Sequence, residues 1–138
     1  MLSWALRRWG SDAQRERWES ELARGTTLGA FCLSEPGAGS DAAGIASTAV
    51  ESGGGWTLNG TKKWITNGQR ADLYLVFART AGSIGAFLVP RDTPACRCAR
   101  SRRSSAPGPR CSPRSPSATS GSGRSRCWAP AASPPGWS

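Results

Sequence analysis

Apolar residues change their spacing at about Leu28 and lose any spacing after Ala95, so the chain divides into three stretches before its composition is considered. In the first, Ala13, Trp18, Leu22 and Ala23 recur at helical intervals. Ser11 or Asp12 can cap this helix, Glu16 follows as a capping-box partner, and Arg24-Gly25 ends it, so a helix is predicted over residues 12–23. Its apolar stripe is narrow, which suits the last helix of a larger helical unit.

From Leu28 the pattern turns to short apolar or alternating blocks bounded by turn residues. Strands are predicted at 28–34, 45–50, 56–59, 61–66, 72–79 and 85–89. Gly53-Gly54-Gly55 and Asn67-Gly68 separate some of them, and Asn59-Gly60 is read as a hairpin turn. The fold class that follows is α+β: a short helical segment, then an antiparallel β-sandwich or barrel-like domain. The domain is expected to be incomplete, because so few strands leave sheet edges unpaired.

After Ala95 neither period is present. Arginine, serine, proline and glycine dominate, and such a segment buries too little apolar area to offset ordering costs of about 1–2 kcal/mol per residue. The expected organisation is residues 1–27 as the end of a helical domain, 28–95 as a partial β-domain, and 96–138 as a disordered Arg/Ser/Pro-rich tail.

Charge follows the same division. The formal net charge is +9, but residues 1–95 carry ten Lys and Arg against nine Asp and Glu, whereas residues 96–138 carry eight Arg and no acid. The front part therefore offers no electrostatic reason to bind nucleic acid. Four of the five cysteines, at 96, 98, 111 and 127, also lie in the tail, and the chain has no histidine. Neither a zinc site nor a disulfide framework is supported by these spacings. No apolar run approaches a membrane span, and the first residues do not have the layout of a signal peptide, so the expected setting is cytoplasmic and off the membrane.

One run carries most of the candidate chemistry: Cys32-Leu33-Ser34-Glu35-Pro36-Gly37-Ala38-Gly39-Ser40-Asp41. Pro36 fixes its own φ and pushes Glu35 towards an extended conformation, while Gly37 and Gly39 can take positive φ and let another group approach the main chain. Such a loop can aim backbone N–H groups at an anionic or carbonyl oxygen, with the Ser40 hydroxyl beside them. It can equally be a turn with no ligand. No Gly-Lys-Ser/Thr follows, and the glycine spacing fits no dinucleotide fingerprint.

Three segments together resemble the acyl-CoA dehydrogenase family: Gly10-Ser11-Asp12-Ala13-Gln14-Arg15 with Leu22-Ala23-Arg24-Gly25, then Leu33 to Asp41, then Leu58-Asn59-Gly60-Thr61-Lys62-Lys63-Trp64-Ile65-Thr66-Asn67-Gly68. The resemblance spans about residues 8–95. It implies an N-terminal helical domain, a middle β-domain and a C-terminal helical domain, with FAD between the last two. It further implies that Phe31, Cys32, Leu33, Ser34, Gly39, Ser40, Trp64, Ile65 and Thr66 contribute to the flavin site. In that scheme Trp64 packs against the isoalloxazine, Ile65 and Thr66 supply backbone and hydroxyl contacts, and Ser40 bonds the coenzyme A part of an acyl-CoA substrate. Bottom-up chemistry agrees in kind, since a flavin needs an apolar wall and a few fixed donors, and residues 64 and 66 share a face if they lie on a strand.

The family's reaction is α,β-dehydrogenation of acyl-CoA thioesters, with a glutamate of the C-terminal helical domain as base. No residue of this chain corresponds to it, and neither Glu35, in the flavin loop, nor Glu51, at a strand end, replaces it. No catalytic and no metal-binding residue is therefore assigned, and the chain is expected to be inactive alone. Electron-transfer flavoprotein is the expected partner of an intact family member; the family is homo-oligomeric, which this chain is not expected to be. Beyond Pro94 the family pattern stops. In GC-rich codons read one base over, residues 95–99 become Gly-Leu-Pro-Val-Arg, which resembles the Gly-Leu-x-Val segment with which the family continues there, so the tail reads as frameshifted. The alternative is a nucleic-acid-binding protein acting through the basic tail.

Overall fold

The computed structural model describes residues 1–52, 55–93, 96–98 and 107–111. Two helices lead into the sheet, α1 at Leu2–Trp9 and α2 at Asp12–Arg24. The sequence pattern did not anticipate α1, which is short. It forms because Leu2 and Leu6, four apart on one face, are buried against the sheet, while Arg7 and Arg8 sit favourably in its last turn. In α2 the capping box is built by Ser11 and Gln14, not Glu16: the Gln14 N–H donates to Ser11 Oγ at 3.3 Å and the Ser11 N–H to Gln14 Oε1 at 2.9 Å. Reciprocal capping requires the third helical residue, which is Gln14. Gly25 closes α2 with φ 73°, a conformation costly for a residue with a Cβ.

The strands are β1 Gly29–Cys32, β2 Thr48–Ser52, β3 Gly55–Lys63, β4 Leu73–Arg79, β5 Ile84–Pro90, β6 Cys96–Cys98 and β7 Pro107–Cys111. They form one mixed sheet in the order β1-β4-β2-β3-β7-β6, with β5 also on β4. The α+β architecture agrees with expectation, but β1 runs parallel to β4, with Gly29 opposite Leu73 and Cys32 opposite Val76. The chain between them is long enough to cross back and re-enter in the same sense, which a tight hairpin cannot do. β5 lies antiparallel along all of β4. β1 pairs with the start of β4, and β2 meets its end at Thr48 opposite Arg79.

β4 is buried on both faces, which explains its near-continuous apolar run. Tyr74, Val76 and Ala78 join Ala30, Cys32, Ala49, Leu58, Ile65, Phe87 and Val89 in one core. Leu73 and Leu75 pack with Leu88, Leu2 and Leu6 in a second layer, flanked by Phe31, Phe77, Trp18 and Leu22.

Two expectations for the sheet are corrected. Asn59-Gly60 is not a hairpin: β3 runs straight through it. Gly60 has φ 152°, and a Cβ there would lie 2.2 Å from Ser47 Oγ, so its glycine serves a close approach to Ser47, just before β2. Secondly, strands do follow Ala95. β7 pairs with β3, Gly60 opposite Cys111 and Thr61 opposite Arg110, and β6 pairs with β7. The expectation of a disordered tail otherwise falls at 99–106 and 112–138, outside the described residues.

Candidate functional site

The run after β1 is held by a buried ion pair. Glu35 and Lys62 are 7% and 2% exposed, and Lys62 Nζ donates to Glu35 Oε1 at 2.6 Å and to the Leu33 carbonyl at 3.2 Å. The carboxylate also accepts from the Ala46 N–H at 2.6 Å, the Ser47 N–H at 3.1 Å and the Ser47 hydroxyl. Three chain segments, 33–35, 46–47 and the end of β3, are thus tied at one point. Burial pulls the Glu35 carboxyl upward, but the hydrogen bonds from Lys62, Ser47 and Ala46 outweigh it and hold the group at about 2, against an ordinary 4.5. Burial lowers Lys62 from its ordinary value, and Glu35 opposes that.

The loop itself is a tight turn. The Glu35 N–H donates to the Ala38 carbonyl at 2.8 Å and the Ala38 N–H returns to Glu35 at 3.3 Å, bracketing Pro36-Gly37. Gly37 and Gly39 do not take the positive φ their sequence allows; among the described glycines only Gly25 and Gly60 do. A Cβ on either would nevertheless meet nothing among the described residues within 4 Å, so their backbone is open to approach there. Ser40 is exposed and Asp41 accepts from the Ala43 N–H, capping a short helical turn at Ala42–Gly44.

A second segment sits beside the loop. The Lys63 N–H donates to the Ser34 carbonyl at 2.9 Å, and the strand then ends. Trp64 has φ 62°, a left-handed conformation costing about 1–2 kcal/mol for a bulky residue, and the residue is 58% exposed. Ile65 turns inward to the core at 5% exposure, and Thr66 is exposed again. The following turn is pinned from below, where Tyr74 Oη donates to the Gly68 carbonyl at 3.0 Å. Lys63 Nζ lies 4.9 Å from the centre of the Trp64 ring. An apolar ring is therefore held in a strained position at the surface, next to a loop with hydroxyls and accessible backbone.

The family model for the acyl-CoA dehydrogenase middle domain matches residues 30–111. The chain belongs to the acyl-CoA dehydrogenase family. Over 92 residues it is 48% identical to the mitochondrial short-chain specific acyl-CoA dehydrogenase of Rattus norvegicus, a match covering 63% of this chain and 22% of that protein. Its structure is similar to that of a Mycobacterium smegmatis glutaryl-CoA dehydrogenase solved with FADH2, with a TM-score of 0.75, 38% identity, and coverage of 81% of this chain and 31% of the other. It also resembles the electron transferring flavoprotein of Acidaminococcus fermentans, with a TM-score of 0.71, 35% identity, and coverage of 76% and 30%. The chain thus spans about a fifth of the rat protein's length and under a third of either structure.

Against this acyl-CoA dehydrogenase fold, the nine residues expected at the flavin site separate into two groups. Ser34, Gly39, Ser40, Trp64 and Thr66 are exposed or half-buried in the two neighbouring segments, and Leu33 is half-buried with its carbonyl held by Lys62. The Cys32 and Ile65 side chains are core, leaving only their main chain for a ligand. Phe31 packs on Phe77 with ring centres 4.9 Å apart, on the helix-facing layer. Trp64 and Thr66 do not share a strand face as expected, because β3 has ended; both reach the surface because Ile65 between them points inward. What sequence reasoning missed is the Glu35–Lys62 pair. Its signal was two charged residues inside two otherwise specific motifs, and no local rule joins them. Of the two carboxylates set aside as bases, Glu35 is ion-paired and held well below its ordinary value, and Glu51 is exposed on β2. Among the described residues no metal-binding cluster occurs and no helix is long and apolar enough to cross a membrane.

Proposed function

We propose that this chain supplies part of the FAD and coenzyme A site of a flavin-dependent acyl-CoA dehydrogenase. The observation that carries the reading is Trp64, a large ring held exposed at positive φ beside the Glu35–Ser40 loop. An exposed surface ring in a costly conformation suits a flat ligand, and the chemistry of its surroundings fits a flavin: a hydroxyl at Thr66, hydroxyls at Ser34 and Ser40, and open backbone at Gly37 and Gly39. Trp64 and Thr66 would hold the isoalloxazine, and Ser40 the coenzyme A portion of a thioester. FAD, when bound, supplies the acceptor for a hydride from the substrate's β-carbon. The base that takes the α-proton is assigned to a part of the family fold outside residues 30–111, because the carboxylate in this loop is committed to Lys62. By itself the chain is inactive in this reading, and an electron-transfer flavoprotein would reoxidise the intact enzyme.

Equilibrium dialysis of the full chain against FAD tests the proposal. Binding weakened about tenfold or more by Trp64→Ala supports it, that being the effect of roughly 1.4 kcal/mol of lost ring contact. No FAD binding by the unmodified chain, or unchanged binding in the variant, refutes it.

A further inference from the structure

We infer that Lys62 is a positioning residue of the flavin and coenzyme A site, acting with Glu35 to fix the 33–40 loop against the 63–66 segment. The inference rests on the functional reading above but stands on different observations. Neither side chain can touch a ligand, since both are buried. Their partners explain what they do instead. Lys62 ends two bonds on the loop, at the Leu33 carbonyl and the Glu35 carboxylate, and its next residue donates its N–H to the Ser34 carbonyl. Glu35 carries the tie on to Ala46 and Ser47. The residue after Lys63 is the strained Trp64.

This placement is more than packing. A buried ion pair is weak evidence of stability, because apolar residues of similar volume often hold a fold as well. A directional pair fixes register where apolar contacts would permit sliding, and a site built from two segments needs that. Among the described residues, the Lys62 and Lys63 bonds run directly across the gap from the Trp64 and Thr66 side of the site to the Ser34 and Ser40 side. A displacement of about 1 Å between such walls is enough to cost a ligand much of its fit.

The full chain carrying Lys62→Met, read by amide hydrogen exchange and by FAD dialysis, tests this. Met keeps the length and removes the donor. Leu6→Ala serves as a control that loosens the helix-facing layer without touching the pair. Expected for Lys62→Met is at least tenfold faster exchange at the Glu35, Ala38 and Lys63 amides, with the β4 and β5 amides unchanged, and FAD affinity lowered at least tenfold. Leu6→Ala should leave those three amides and FAD affinity as they were. Should Lys62→Met not fold, Glu35→Gln, which keeps the shape and one acceptor, is read in the same way. Unchanged exchange at the three amides, or the same local change in Leu6→Ala, overturns the inference. Failure of the unmodified chain to bind FAD refutes the functional reading, while the exchange pattern still decides whether the pair fixes the two segments.

Discussion

The two sides of β4 are held by different physics. On the helix side, Leu2, Leu6, Leu73, Leu75 and Leu88 are buried together, and the charged contacts, Arg7 with Glu19 and Arg15 with Asp12, lie at the surface. Beyond the other core, at the end of β3, the chain buries a carboxylate and an ammonium and satisfies both. Apolar layers tolerate exchange of one hydrophobe for another, because their attraction has no direction. A buried ion pair tolerates the loss of neither partner. Polar fixation is used where two segments must keep one mutual placement, and apolar area where a helix need only cover a sheet.

The largest expected effect comes from breaking the polar side. Glu35→Ala leaves Lys62 buried without its counter-charge and Ser47 without its acceptor, and should destabilise the full chain by about 3–5 kcal/mol in denaturant unfolding. Leu6→Ala on the apolar side should cost about 2–4 kcal/mol. If the two costs came out reversed, the contrast between the sides would be wrong.

Acid sharpens the same contrast. The folded Glu35 carboxyl sits at about 2, below its ordinary 4.5, so its stabilisation is complete above about pH 4.5 and is lost as the pH falls towards 2. The stability difference between the unmodified chain and Glu35→Gln should therefore be flat near neutrality and shrink through that window. A difference that held constant down to pH 2 would mean that the carboxylate is not the stabilised form.

Much of the fold was legible in the sequence because its signals are local. Ser11 and Gly25 bound α2, and the apolar block at 73–79 marks β4. What failed depends on contacts distant in the chain. Asn59-Gly60 has the composition of a hairpin, yet the glycine is there because Ser47, just before β2, passes within contact distance. The direction of β1 is set by where β4 accepts it, which alternation does not encode. Of the candidate site residues, Trp64, Thr66, Ser34 and Ser40 were singled out through their motifs, and all four are exposed or half-buried. Cys32, Ile65 and the side chain of Phe31 belong to the packing that supports them. The bond from Lys62 to Glu35 spans 27 positions, and no periodicity reaches so far.

The smallest effect is expected on the helix side's own charges. Arg7 Nε donates to Glu19 Oε1 at 2.5 Å, but the side chains are 64% and 32% exposed. Water competes for both groups and salt screens them, so the pair's attraction barely exceeds the entropy lost in holding two long side chains. Glu19→Gln should shift unfolding by less than about 1 kcal/mol, and raising the salt from 0.1 to 1 M should remove most of that difference. The same salt should leave the cost of Glu35→Ala largely unchanged, since counter-ions do not reach a pair that is 2% and 5% exposed. Equal salt sensitivity in the two variants would show that burial does not separate these ion pairs, and the distinction between the two sides of β4 would then have to rest on packing alone.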